Sequence, residues 1–445
     1  VNKKTTNITV TALKYMNEFS CIGSDCEMTC CAGWNIHIDK PSYRRIKSHL
    51  MRTPGGKSQL KQNIKRYKKG EQEGFNRFGH IKLKEDQSCS FLAKDGLCNL
   101  QRDFGEKALP GTCSTFPRRI TLHETNFELS GDFGCPEIVR KSLLTQHSMN
   151  RVEYNDNLKK TLLHGPIEQG NTLYHKYYKQ FREIMIDTLE SKIQPTFRQK
   201  MFALVFIAKK IHPHFNKQNQ NTNLEPIEEG ISLIKNKEFL NLMTETYETI
   251  PLENNAALIL INEIILSKTL GDKKRLQYNS LVESSIKSYL NDIKDYSVSK
   301  SETHNIFEIP VKFSESFFDA FKSRKSEFEK LFSNRMDVYM ERYLVNLLFQ
   351  DPYIHFEDLM LYFRHILLKA AIIRFLIIGH PSIIHLITQS DQEEKTMQEL
   401  DAIAVEIFSV CERIYRNTPM ISKVSQSLGL HDFDTLAHLT MLIHL

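Results

Sequence analysis

The hydrophobic rhythm of the chain changes near residue 145. Beyond it, apolar positions recur every three or four residues. Tyr174, Tyr177, Tyr178, Phe181, Ile184, Met185 and Leu189 fall on one face of a helix. Phe202, Val205, Phe206 and Ile207 continue the pattern until His212-Pro213 ends it. Further runs predict helices over 226–247, 255–270, 276–294, 315–349, 356–379 and 393–416, and the Asn/Gln-rich stretch 217–223 reads as an exposed loop. The most apolar run, Ile366 to Ile378, is interrupted by Lys369 and Arg374. It falls short of the roughly 20 residues a bilayer crossing needs, so it predicts a buried helix and no membrane partner.

Before residue 145 that rhythm is missing. Turn clusters such as Thr53-Pro54-Gly55-Gly56 and Leu109-Pro110-Gly111 break the segment up. It reads as loops and short helices organised by bound ligands rather than by a large apolar core. No strand–helix alternation suggests a doubly wound sheet, and no internal repeat is evident. The expected fold is therefore mainly α: a Cys-rich metal-binding amino-terminal domain over 1–145, followed by a large α-helical domain over 146–445.

Composition narrows the class without changing this picture. At 445 residues the chain exceeds one typical core, and 41% hydrophobic with 25% charged residues is ordinary for a soluble protein. The first fifteen residues are polar and threonine-rich, with no basic–apolar–small leader, so the expected location is cytoplasmic. In that reducing compartment cysteines serve as thiolates or metal ligands rather than disulfides. The net charge of +6 is unevenly placed: residues 1–141 carry 24 Lys/Arg against 15 Asp/Glu. Between Lys40 and Gly70 stand eleven basic residues and no acidic one, a surplus that can steer an anionic partner. The aromatic, basic tract Ile64–Gly79, with Tyr67, Phe75 and Phe78, has no known base-stacking motif, so no nucleic-acid partner is expected. A loop there suits an acidic protein surface.

The chemistry concentrates in the cysteines. Eight of nine lie between Cys21 and Cys135, and Cys411 alone stands elsewhere, in a helix, as plain core. The first group is Cys21, Cys26, Cys30 and Cys31; the second is Cys89, Cys98 and Cys113; Cys135 follows. Thiolates two to four residues apart can converge on one metal, because the intervening turn brings both sulfurs to one side. Adjacent Cys30 and Cys31 point differently, so either they serve separate irons of a cluster or one is structural. Eight thiols suffice for one cubane with four to spare, for two four-sulfur sites, or for a cluster plus a zinc.

The stretch FSCIGSDCEMTCCAGWNIHID, then CSFLAKDGLCNLQ, then CSTFPRR, then Cys135-Pro136-Glu137 resembles the flagellin lysine-N-methylase family. That family is related to a broader group of zinc- or iron-chelating proteins with a CxxCxxCC signature. The likeness is strong over about 15–140, with a weaker echo at MERYLVNLLFQDPY (Met340–Tyr353). The first cysteines depart from CxxCxxCC, being spaced by four and three residues, which leaves open how they are shared. The resemblance implies S-adenosylmethionine-dependent methylation of surface lysines on flagellin, with a [4Fe-4S] cluster involved and zinc as the alternative metal.

A lysine ε-amine attacks a sulfonium methyl only when deprotonated, so a conventional enzyme needs a base or a desolvating pocket. No glycine-rich strand-to-helix turn is present; Gly131-Asp132-Phe133-Gly134 lacks the context. The cofactor site is therefore expected at the metal. Asp25, Glu27 and Glu137 are the candidate catalytic carboxylates, though the first two can equally orient ligands or cap a turn. Arg118, Arg119 and Trp34 are the candidate cofactor contacts, the arginines as a bidentate clamp on a carboxylate and Trp34 as a cover or stacking surface. His37, His80 and His123 are further possible ligands or bases. The rival reading is a non-catalytic metal-chelating or metal-delivery protein whose helical part is an interaction scaffold. The oligomeric state is not legible.

Overall fold

The computed structural model describes residues 8–33, 36–68, 78–123, 126–156, 163–166, 170–194, 196–220, 223–251, 259–263, 276–293, 314–388, 393–430 and 435–445. The chain is mainly helical and divides into two compact units. The first takes in Val1–Lys141 and Thr145–Pro166; the second takes in Ser142–Leu144 and Ile167–Leu445.

The first unit contains two sheets that the sequence reading did not predict. Strands β1 (Ile8–Leu13), β5 (Arg118–His123), β6 (Asn126–Gly131), β7 (Arg151–Asp156) and β8 (Leu163–Pro166) form one sheet in the order β7-β1-β6-β5-β8. β5 and β6 are an antiparallel pair, and β1 lies parallel to β6 and antiparallel to β7. The unit runs past residue 145 because β7 and β8 add to this sheet. A second sheet, β2-β4-β3, joins His37–Ile38, Gly79–Ile81 and Ile64–Arg66, all antiparallel.

The expectation that ligands replace an apolar core in this unit is corrected. Ile36, Ile38, Ile64 and Ile81 from the small sheet pack with Ile46 and Leu50 of α1 (Lys40–Leu50) and Leu60 of α2 (Gly56–Asn63). Cys89, Phe91, Leu100 and Leu109 complete that core, and Cys31, Cys98 and Cys113 pack against it. The start of α1 follows from its sequence: Asp39 caps it, accepting the Ser42 N–H at 2.6 Å, and Pro41 occupies the first turn.

In the second unit the described periodic runs form helices, while the run predicted over 255–270 lies largely outside the described residues. Two runs are each split. Tyr174 to Leu189 falls on Leu173–Lys176 and Tyr178–Glu190, parted at Tyr177. The run over 226–247 is two helices, Glu225–Lys235 and Lys237–Thr249, because Asn236 breaks the first and caps the second by accepting the Phe239 N–H. The helix Leu359–Gly379 is buried along almost its whole length. Its two buried charges have partners: Lys369 Nζ meets Asp351 at 3.0 Å and Glu412 at 3.7 Å, while Arg374 lies 3.7 Å from Glu329 and donates to the Ile443 carbonyl at 2.6 Å. Buried charges require such partners, which accounts for charges inside an apolar run. Among the described residues no single helix is long and apolar enough to cross a membrane; Leu359–Gly379 and Pro381–Thr388 pass that test only together, bent by 63°.

Candidate metal and methyl-transfer site

Local structure gathers the dispersed cysteines. Cys89 and Cys98 flank a tight turn in which Asp95 accepts the Leu97 N–H at 3.1 Å and Gly96 takes a φ of +78°, a left-handed backbone that glycine adopts at no steric cost. Bridge pairing of Leu92 with Cys98 closes the turn. The Cys89 N–H donates to the Cys31 carbonyl at 2.7 Å, which pins the first group to the second. Cys98 caps α3 (Asn99–Phe104), and Cys113 lies within α4 (Gly111–Thr115).

The result is one cavity of about 70 Å³ lined by Cys30, Cys31, Cys89, Cys98 and Cys113 among apolar walls that include Ile36, Ile81, Phe91 and Phe116. Gln101 is an amide on its wall that the sequence reading did not single out. Each thiol burdens the next. Cys31 is held well above the ordinary thiol range by its hydrogen bond with Cys30, by burial, and by the closeness of Cys30, Cys89 and Cys113. Cys113 is raised by burial and then by Cys89, Cys98 and Cys30. Cys89 is raised by burial, against which backbone hydrogen bonds from Phe91 and Leu92 pull it down. None of the nine cysteines is in a disulfide.

A second grouping stands beside the first. Cys135 precedes α5 (Pro136–Leu144), fixed by its own N–H donating to the Asp132 carbonyl at 3.0 Å. Burial pushes its thiol up to about 12, opposed by backbone hydrogen bonds from Ile138 and Glu137, and Cys26 and Cys30 are close enough to raise it further. Cys21 is exposed and is not part of the cavity wall. Among the described residues no three or more His, Cys, Asp or Glu side chains already converge on a single ion-sized point.

The carboxylates have partners of their own. Arg140 bridges two of the candidates, with Nη2 at 2.5 Å from Glu27 and Nη1 at 2.5 Å from Glu137. Asp25 is exposed at the end of a 3-10 turn, Gly23–Asp25. Arg118 and Arg119 are successive residues of β5 and so project to opposite faces, which prevents them from gripping one carboxylate as a pair. Arg118 is exposed, with its guanidinium 5.5 Å from the centre of the Phe19 ring. Trp34 and the side chain of His123 lie outside the described residues, as do residues 69–77 of the basic tract. His37 and His80 face each other across β2 and β4.

The family described as the FliB lysine N-methylase C-terminal domain matches residues 182–442, more than half of the chain. The chain belongs to this family. It is 36% identical over 140 residues to the flagellar biosynthetic protein FliU of Salmonella muenchen, covering 31% of this chain and 78% of that protein. It is 34% identical over 140 residues to the lysine-N-methylase of Salmonella typhimurium and 35% identical over 140 to that of Salmonella choleraesuis. Those two matches cover 31% of this chain and 33% of each lysine-N-methylase, so the aligned part spans about a third of their length. No solved structure matches the chain. The echo at Met340–Tyr353 falls within the family match, and there Tyr343 is fully buried with its hydroxyl on Glu412.

Proposed function

We propose that this protein is a lysine N-methyltransferase that acts on flagellin, takes its methyl group from S-adenosylmethionine and holds a [4Fe-4S] cluster in its cysteine cavity. Family membership supports the lysine methylation, and the name of the FliU relative supports the flagellar substrate. The observation that carries the cluster is the five-thiol cavity itself.

The donor set suits such a cluster. Neutral thiols crowded into an apolar cavity resist ionisation because each new thiolate repels the next. A bound metal centre inverts that logic and stabilises them as thiolates. A single zinc gathers four donors into one tetrahedron, whereas the irons of a cubane each take one thiolate around a larger rim. Five thiols around one cavity exceed the four donors of a single zinc, which favours the rim. Backbone N–H groups of Phe91 and Leu92 on Cys89, and of Ile138 and Glu137 on Cys135, would tune the ligating sulfurs.

When bound, the cluster would supply a Lewis-acidic iron able to anchor the methionyl part of the cofactor. The chain's own contribution is to orient and to exclude water. Phe91, Phe116, Ile36 and Ile81 keep the thiol cavity dry. Arg118, exposed on β5, is the candidate contact for the cofactor carboxylate. Arg140, bridging Glu27 and Glu137, ties the Cys26 segment to α5.

The test is cofactor-dependent methylation of purified flagellin by anaerobically prepared protein, followed by mass spectrometry of lysine-containing peptides. Brown protein with about four irons per chain and methylated flagellin is the expected result. Colourless protein with stoichiometric zinc, and no methylation, would sink the proposal.

A further inference from the structure

We propose that the outer face of the β2-β4-β3 sheet is the docking surface for an acidic stretch of the protein substrate, an inference that rests on the substrate's being a protein. Alternation along the strands sends Ile38, Ile64 and Ile81 into the core and leaves His37, Lys65 and His80 on the other side. Their registers put these three side by side, since His37 pairs with His80 and His80 with Lys65. Lys82 lies two residues beyond His80, and its ammonium donates to the Lys61 carbonyl at 2.8 Å, joining the exposed Lys61 to the same patch.

The patch carries positive charge. Among the described residues, the charged or titratable groups acting on His80 are Lys65, His37 and Lys82, with no carboxylate among them. It is also a firm platform. A side chain at Gly79 would meet the Lys65 carbonyl oxygen at 2.6 Å, so β3 and β4 run too close for anything but glycine there. A preorganised cationic face raises encounter rates with an anionic partner and fixes its orientation.

Carboxylates on a protein suit this face better than a nucleic acid does. Tyr67 and Phe78 are described aromatic residues beside the patch, but the Tyr67 hydroxyl is tied to His37 Nδ1 at 2.8 Å with its ring flanked by His37 and His80, and the Phe78 ring packs on Tyr43 at 5.1 Å. Neither is therefore presented as a stacking platform for bases. What remains is a set of ammonium groups, which pair with carboxylates as point charges.

The experiment compares the parent protein with a Lys61→Gln/Lys65→Gln/Lys82→Gln variant and its charge-keeping counterpart, Lys61→Arg/Lys65→Arg/Lys82→Arg. Anisotropy of labelled flagellin, and separately of a glutamate-rich peptide, gives binding without any need for methyl transfer. At low salt the Gln variant should bind about tenfold or more weakly. The Arg variant should bind as the parent does, and the difference should shrink at high salt. Equal binding by parent and Gln variant at low salt would overturn the docking surface, as would equal weakening in the Arg variant. Preference for a duplex oligonucleotide over flagellin, lost in the Gln variant, would also overturn it. Charge-dependent binding without methylation would leave the docking surface standing and remove the enzymatic reading, whereas methylation with no charge dependence would do the reverse.

Discussion

Cys89 donates its backbone N–H to the carbonyl of Cys31 at 2.7 Å, and this one bond brings together two cysteine groups far apart in sequence. Cys31 leads the segment that pairs Ala32 with Ser88, and Cys89 leads the turn that returns to Cys98. The thiols meet because the backbone is already paired.

That arrangement ranks the cysteines. Cys89→Ser and Cys113→Ser remove thiols from the wall of the shared cavity and should bleach the protein, with iron falling well below the roughly four per chain of one cubane. Cys21→Ser alters an exposed thiol and should keep its iron. Iron analysis and the visible absorption spectrum, both under anaerobic conditions, decide it. Loss of iron in Cys21→Ser would mean that the exposed turn carries a ligand.

The Arg140 bridge separates a positioning role from acid–base catalysis at Glu27. If Glu27 mainly anchors the Cys26 segment, Arg140→Ala and Glu27→Gln break the same pair, and the double variant should be no worse than Arg140→Ala, which also removes the Glu137 contact. Each should cost about 1 kcal/mol or less in stability, since the pair is partly exposed. The readout is a double-variant cycle on both stability and kcat. A kcat collapse confined to Glu27→Gln would restore the carboxylate to catalysis.

Opposite projection of neighbours on β5 predicts an asymmetry between the two arginines. Arg118→Ala should weaken cofactor binding roughly ten- to a hundredfold, the size of a charge-assisted contact. Arg119→Ala should leave affinity near the parent value. Titration calorimetry on cluster-loaded protein measures both, and equal losses would contradict the strand geometry.

Acid should loosen the helical unit before most carboxylates titrate. Burial holds His365, packed on Phe356, down to about 3, and His444, stacked on Tyr247, down to about 4. The folded state thus keeps these rings neutral, while the unfolded chain takes up protons near pH 6.5. Their contribution is complete above that value and is lost as pH falls toward 4, at about 1.4 kcal/mol per pH unit for each histidine. Glu412, Glu341 and Asp337 are raised by burial and act in the opposite direction. Comparing the parent with His365→Gln cancels them: the stability gap should move in favour of the variant as pH drops from 7 to 5 in urea titrations. A gap that does not change with pH would mean that His365 takes up its proton in the fold as readily as in the unfolded chain.

Much of the helical unit was legible because its signals are local. Spacings of three and four residues, and the stop at His212-Pro213, need no knowledge of distant residues. Lys369 and Arg374 gave a further local clue, since a core helix tolerates charges only when partners await them. The sheets of the first unit were not legible in the same way. Ile8, Val10 and Ala12 do alternate with threonines, but the partners of β1 are Phe127 to Leu129 and Arg151 to Asp156, a pairing that no local pattern encodes. At the candidate site, the cysteines announced themselves by type, whereas their division between a cavity and the Cys26–Cys135 neighbourhood depends on long-range pairing. Arg140 shows the limit well: its i−3 contact with Glu137 is readable, but its contact with Glu27 is not.

The place of β1 inside its sheet, between β6 and β7, sets a schedule for biosynthesis. β1 cannot be seated until both neighbours have been made, and by then all eight cysteines from Cys21 to Cys135 have been translated. Pairings this distant along the chain form late, because loop-closure entropy must be met first. The nascent chain therefore presents its thiols before the sheet is complete. A chain cut before residue 151 would then carry every thiol of the cavity while β1 still lacked one of its two neighbours.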